Sequence, residues 1–173
     1  MYNKAWQNER TIKVPIGLRS IKEAKGKRVL EVGNVLSNYH LLASYDVFDK
    51  YEAAPGIINE DALGLKPREP YDLFVSFSTM EHVGWDETPR ELEKIIAAFK
   101  NLVSHTLRPG GTMMFTVLLG YITTLNKYKE ENRLPPAKRL FLKRVSEKIV
   151  GRKPVMKRCA ARFTKSRSGT QTR

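Results

Sequence analysis

Apolar positions follow two rhythms along this chain. Residues 28–32, Arg-Val-Leu-Glu-Val, form a short, largely β-branched run closed by Gly33, the pattern of a strand buried inside a parallel sheet. The same reading predicts strands over 44–48, closed by Asp49, over 57–59, leading to Glu60 and Asp61, over 71–77 and over 112–117. Helical spacing intervenes. Ile16, Leu18, Ile21 and Ala24 predict a helix over 16–25 after Pro15, closed at Gly26. Leu92, Ile95, Ile96, Phe99, Leu102 and Val103 predict a stronger one over 87–105. Its entry, Asp86-Glu87-Thr88-Pro89, offers capping oxygens and an early proline, and residues 107–111 predict a turn. Strands alternating with helices imply an α/β, doubly wound, mostly parallel sheet.

In such a sheet ligands bind beyond the carboxyl ends of the strands. Glu31, an acid at the penultimate position of a buried strand, is therefore expected to turn its carboxylate into that crevice, with Gly33 allowing a sharp turn and close approach. Asp49 follows Glu31 by 18 residues, the spacing at which a carboxylate accepts the ribose hydroxyls of a nucleoside ligand. Asp61 ends the third strand, where a carboxylate can take an adenine amino group. The fourth strand ends in Ser78-Thr79-Met80-Glu81-His82. One acid at a strand end is usually a solvated loop residue; three in successive βα units form a pattern.

These residues resemble the class I S-adenosylmethionine-dependent methyltransferases over about residues 26–120. Val29-Leu30-Glu31-Val32-Gly33 is similar to that family's first motif, Asp49 to its ribose acid and Asp61-Ala62 to its acid-plus-small pair beside adenine. Residues 71–76 with Thr79-Met80-Glu81-His82-Val83 are similar to its fourth-strand motif, and Leu107-Arg108-Pro109-Gly110-Gly111-Thr112 to the turn before its fifth strand. The wording Glu-Val-Gly-Asn-Val-Leu-Ser-Asn-Tyr also resembles a branch found with sugar and polysaccharide modification proteins. The resemblance implies a Rossmann-like methyltransferase fold and S-adenosyl-L-methionine as cofactor, held by Glu31, Gly33, Asn34, Asp49, Asp61, Ala62 and Ser78. It implies a small-molecule acceptor, sugars included, with His82 or Glu81 as the base where the acceptor must lose a proton. Trp85 and Tyr121 are candidate pocket walls, and Trp6 with residues 8–10 a candidate lid. His40 and His105 fall near no other ligand type, so no metal is expected.

Two departures stand against the resemblance. Asn34-Val35-Leu36-Ser37-Asn38-Tyr39 replaces the family's further glycines; Asn34 can adopt left-handed angles, while Val35 and Leu36 would crowd the site. The two strands that normally follow the fifth have no counterpart. Instead a helix over 123–133, Pro135-Pro136 and a basic helical stretch over 137–150 are expected, as if the native end were replaced after about Glu147. A catalytically inactive binding module on the same scaffold is thus the alternative.

Composition sharpens this picture in one place. The net charge of +13 lies wholly in residues 127–173, which hold 16 Lys+Arg against 3 Asp+Glu, while the rest of the chain is balanced. This divides the chain into an α/β domain over 1–126 and a basic tail over 127–173. Such a tail can contact RNA or another polyanion, though no binding motif accompanies it, and a solvated appendage is the plainer reading. Cys159 is the single cysteine, so no internal disulfide forms and the cytoplasm is the expected compartment. The longest apolar run, 112–119, falls short of the ~20 residues of a membrane span.

Overall fold

The computed structural model describes residues 9–39, 44–118 and 123–131, together with the backbone of 141–144 and 156–159. Helix α1 (Arg10–Glu23) leads into β1 (Val29–Val32), β2 (Asp46–Phe48), β3 (Ile57–Ile58) and β4 (Tyr71–Phe77). Helix α2 (Lys94–Asn101) runs on through a π-helical turn, Leu102–Thr106, into β5 (Leu107–Thr116), and α3 (Thr123–Glu130) follows. The strands pair in the order β3-β2-β1-β4-β5, every pair parallel. This is the Rossmann-like, doubly wound arrangement, with its reversal of strand order beside β1.

Strand register assigns the two faces. Val29 pairs with Leu73 and Glu31 with Val75, and Met114 lies opposite Val75. On that face Leu73, Val75 and Phe77 pack with Val14, Ala24 and Leu36, with Leu18, Ile21 and Met114 against them. Helix α1 covers it. Gly17 makes the approach possible, because a Cβ there would lie 2.7 Å from the Phe77 ring and 2.8 Å from Leu36 Cδ1. Phe115, opposite Ser76, belongs to the other face and meets Phe99 of α2 at 4.7 Å between ring centroids. Ile95, Phe99 and Leu102 are buried there, each contributing roughly 1.5–3 kcal/mol of apolar burial. Helices therefore cover both faces.

Several elements differ from expectation for physical reasons. Helix α1 starts six residues early and runs through Pro15, because Lys13 and Val14 are already buried against the sheet. Helix α2 starts at Lys94 rather than at Glu87. Thr88 precedes a proline, a position disfavouring helical angles, and Glu87 is engaged by two lysines instead of capping. The predicted turn over 107–111 lies inside β5: Tyr71 pairs with Leu107 but Leu73 with Thr112, so residues 108–111 loop out opposite Asp72. Gly110 takes a φ of +78° there, and Arg108 Nη1 reaches Asp72 Oδ1 at 2.9 Å.

Helix α3 is tied to the first unit by Tyr128, whose hydroxyl donates to Glu93 at 2.6 Å. The chain's two compact units divide between residues 133 and 134. In the second, β6 (Phe141–Arg144) and β7 (Met156–Cys159) pair antiparallel, with Lys143 opposite Lys157. Residues 141–144 are thus extended where a basic helix over 137–150 is predicted, the ladder to β7 supplying the backbone partners that a helix would have found locally. Among the described residues the parallel sheet ends at β5, and no helix is long and apolar enough to cross a membrane.

Candidate active site

The carboxyl ends of β1, β2 and β4 and the loop after β3 enclose a cleft of about 330 Å³, a volume in the range of small-molecule sites. Val32 and Phe48 give it an apolar floor. Gly33, Asp49, Ala62, Ser78 and Thr79 line it, with His82, Asp86 and Glu87 on one wall. Of the sequence-predicted residues, the fold brings Gly33, Asp49, Asp61, Ala62, Ser78 and His82 to this hollow.

Gly33 has a φ of +84°, and an added Cβ would lie 1.9 Å from Thr79 Oγ1. The β1 turn and the β4 end can meet only over a glycine. Asp49 Oδ1 accepts the backbone N–H groups of Tyr51 at 2.8 Å and Glu52 at 3.0 Å. This fixes the loop after β2 and leaves Oδ2 as the oxygen available to a ligand. Ser78 has a φ of +53°, strained for a residue with a side chain. Its N–H donates to Thr116 carbonyl oxygen at 3.2 Å, and its Oγ accepts from Lys13 Nζ at 2.7 Å. Lys13 is buried, and burial pulls its ammonium pKa below the ordinary value despite Glu9 and Glu81 nearby.

Glu31 does not face the cleft. It lies on the α1 face, wholly buried, and its carboxylate accepts the backbone N–H groups of Val35, Leu36 and Ser37 and the Tyr45 hydroxyl. Burial pushes its pKa up, and those four donors pull it partly back. The carboxylate therefore shapes the glycine-poor loop. Leu36 is drawn into the core, so neither it nor Val35 lines the cleft. Asn34 points away too. Its Nδ2 donates to Glu52 Oε1 at 2.7 Å, its Oδ1 accepts from Ser37 Oγ, and its backbone is not left-handed.

Asp61 lines the cleft but is already engaged. Lys50 Nζ lies 2.8 Å from Asp61 Oδ2 and 2.8 Å from Glu87 Oε1; Lys94 Nζ lies 2.9 Å from Asp61 Oδ2 and 2.6 Å from Glu87 Oε2. Two ammonium groups and two carboxylates thus alternate around a closed square. Burial works against the charge on Asp61, but the Leu63 amide and both lysines outweigh it and hold the carboxyl well below its usual range. Glu87 is lowered in the same way, its burial overcome by Lys50 and Lys94. The spacing of Asp61 identified an acid at the cleft but gave no sign of its lysine partners, which come from the end of β2 and the start of α2.

Of the two candidate bases, only His82 reaches the cleft. Its Nδ1 lies 2.7 Å from Asp86 Oδ2. Glu81 is 1% exposed; burial raises its pKa, opposed in part by its own backbone amide, by Lys13 and His82, and by the Leu118 amide. Trp85 lies under the Arg90 guanidinium, 4.5 Å from ring centroid to Cζ, and does not line the cleft. Tyr121, His40, Trp6 and Asn8 lie outside the described residues. Among the described residues no group of three or more His, Cys, Asp and Glu is placed to hold a metal.

No protein-family model matches this sequence, and no curated protein does. Solved structures similar to the chain include the N-methyltransferase NodS from Bradyrhizobium japonicum WM9 in complex with S-adenosyl-L-homocysteine. Identity there is 16%, covering 65% of this chain and 64% of that one, with a TM-score of 0.47. A second NodS structure gives 16% identity over 75% of this chain and 84% of that one, with a TM-score of 0.49. The glycopeptide N-methyltransferase MtfA complexed with sinefungin gives 14% identity over 86% and 65%, with a TM-score of 0.43. The chain thus spans about two thirds of the length of the first NodS structure and of MtfA. At these identities the likeness is to the fold and assigns no activity or substrate.

Proposed function

We propose that the cleft binds S-adenosyl-L-methionine and that the protein transfers its methyl group to a small-molecule acceptor. The observation that carries this reading is the convergence of Gly33, Asp49, Asp61-Ala62 and Ser78-Thr79, from four successive strand ends, on one hollow beside the reversal of strand order. The residues fit the cofactor in three respects. Asp49 Oδ2 is available to accept from ribose hydroxyls. Ala62 and Phe48 give an apolar, small-residue surface for a purine. The Gly33 turn, packed against Thr79, brings the ends of β1 and β4 together to line the remainder of the hollow. Asp61 would meet an adenine amino group only through Oδ1, which already accepts the Leu63 N–H at 3.0 Å.

When bound, the cofactor supplies a sulfonium-activated methyl group, so little chemistry is asked of the protein. Its task is to hold the acceptor in line in a site shielded from water. Val32, Phe48 and Val83 supply that shielding. His82 is the group placed to take a proton. Thermal melting with and without S-adenosylmethionine tests the reading: ligand at about a hundred times its Kd stabilises by about 2.7 kcal/mol, a rise of several degrees. An unchanged melting temperature at saturating ligand would favour the inactive binding module.

A further inference from the structure

We propose that the basic second unit is a nucleic-acid-binding surface, built on the β6–β7 ladder, that holds the phosphate backbone without reading base sequence. The proposal does not depend on the methyl-transfer reading.

Charge in this unit is nearly of one sign. Residues 134–173 hold 13 Lys+Arg against one acid, Glu147, yet they form a compact unit. A stretch so rich in one charge ordinarily stays extended and solvated, because its charges repel. Here two of its segments pair instead. The register sets Lys143 opposite Lys157, Leu142 opposite Arg158 and Arg144 opposite Met156. Four of the eight paired positions are thus cationic, and like charges directly opposite one another weaken a strand pair. A ladder assembled against that repulsion suits a polyanion, whose charge offsets the repulsion and whose binding releases counterions.

Register also decides which polyanion. Opposed residues share a face and successive residues alternate between faces. Phe141, Lys143, Lys157 and Cys159 therefore occupy one face, and Leu142, Arg144, Met156 and Arg158 the other. Each face carries two cations beside two uncharged residues, so neither is the continuous apolar face that lies in a bilayer surface. A phosphodiester chain needs no such face. The only aromatic residues of the unit are Phe141 and Phe163, too few for a platform on which successive bases stack. Affinity then comes from phosphate contacts, which carry no sequence information.

Fluorescence anisotropy of labelled oligouridylate and oligoadenylate, titrated with the full chain over a range of salt, tests the proposal. The expected result is binding to both, with affinities within about fivefold of each other and falling as salt rises. Combining Lys143→Gln, Arg144→Gln, Lys157→Gln and Arg158→Gln should weaken binding about tenfold or more. At about 0.7 per lost single-strand phosphate contact, it should also flatten the log–log salt slope by about 3. An equal change of charge on the first unit, by Lys→Gln at exposed Lys22, Lys25, Lys27 and Lys66, should leave affinity within about twofold of the wild type. No binding at low salt, equal weakening in the two variants, or strong preference for one base overturns the proposal. Tighter binding to vesicles of equal parts phosphatidylcholine and phosphatidylserine than to RNA would assign the surface to membranes and overturn it too. Should the fourfold variant fail to fold, Lys157→Glu replaces it, because opposite charges at the 143/157 pair favour the ladder. Weaker RNA binding is then expected, and unchanged affinity overturns.

Discussion

Buried acids in this protein are placed by what donates to them, and their charges follow. Glu31 carries three backbone amides and a tyrosine hydroxyl at zero exposure. Glu31→Ala orphans those amides, at roughly 1–3 kcal/mol per unsatisfied group, so urea denaturation should show a loss of about 3 kcal/mol or more. Unchanged stability would mean that the loop is held by something else. Asp61 makes the opposite case. Its pKa is depressed, so it stabilises the fold above its ordinary value of 3.8, and that contribution is lost as pH falls below it. Asp61→Asn should therefore be less stable than the wild type at neutral pH, with the difference shrinking as acid is added. Melting curves at successive pH values check this, and a difference independent of pH would contradict it. At this scale the sequence revealed that acids stand at strand ends, because spacing and strand register are local. It gave no sign of which donors meet them. Lys13 and Lys94 reach the cleft's edge from helices, and Asp86 is signalled only by standing four residues after a histidine.

At the scale of elements, strands were easier to read than helices. The run 71–77 is a strand over its predicted length, because continuous apolar character is what a doubly covered parallel strand requires. Helix α1 has a weak apolar stripe, and a proline marked its start wrongly; close packing decides its position. Gly17 is that packing, so Gly17→Val should push α1 off Phe77 and Leu36 at a cost of about 1–3 kcal/mol. The Lys13–Ser78 hydrogen bond is carried on the same helix, so ligand-induced stabilisation should fall along with the melting temperature. Thermal melts with and without S-adenosylmethionine measure both, and a fully stable Gly17→Val would show that the approach is looser than 2.7 Å implies. The glycine-poor loop is the reverse case: its apolar residues suggested a blocked site. Glu31 instead folds them toward α1 and leaves the hollow open.

For the molecule as a whole, the charge boundary in the sequence and the compact units of the structure nearly coincide. The balanced part holds the five-stranded sheet and every residue of the cleft, and the basic part holds a two-stranded ladder of its own. Fold class was legible because strand and helix rhythms alternate for nearly a hundred residues. Among the described residues the parallel sheet ends at β5, and in the sequence that rhythm is not repeated after residue 120. Which acceptor enters the cleft is a matter of side-chain shape at its mouth, and no local pattern encodes that.

The central claim is that a nucleoside sulfonium or its thioether product occupies this cleft against Asp49. Calorimetric titration of the full chain with S-adenosylhomocysteine, run beside Asp49→Ala, tests it most directly. The account predicts one saturable site in the wild type and affinity at least tenfold weaker in the variant, the loss of a charge-assisted hydrogen bond of about 1.5–3 kcal/mol. No heat in the wild type at about 1 mM ligand, or equal affinity in both proteins, would contradict it.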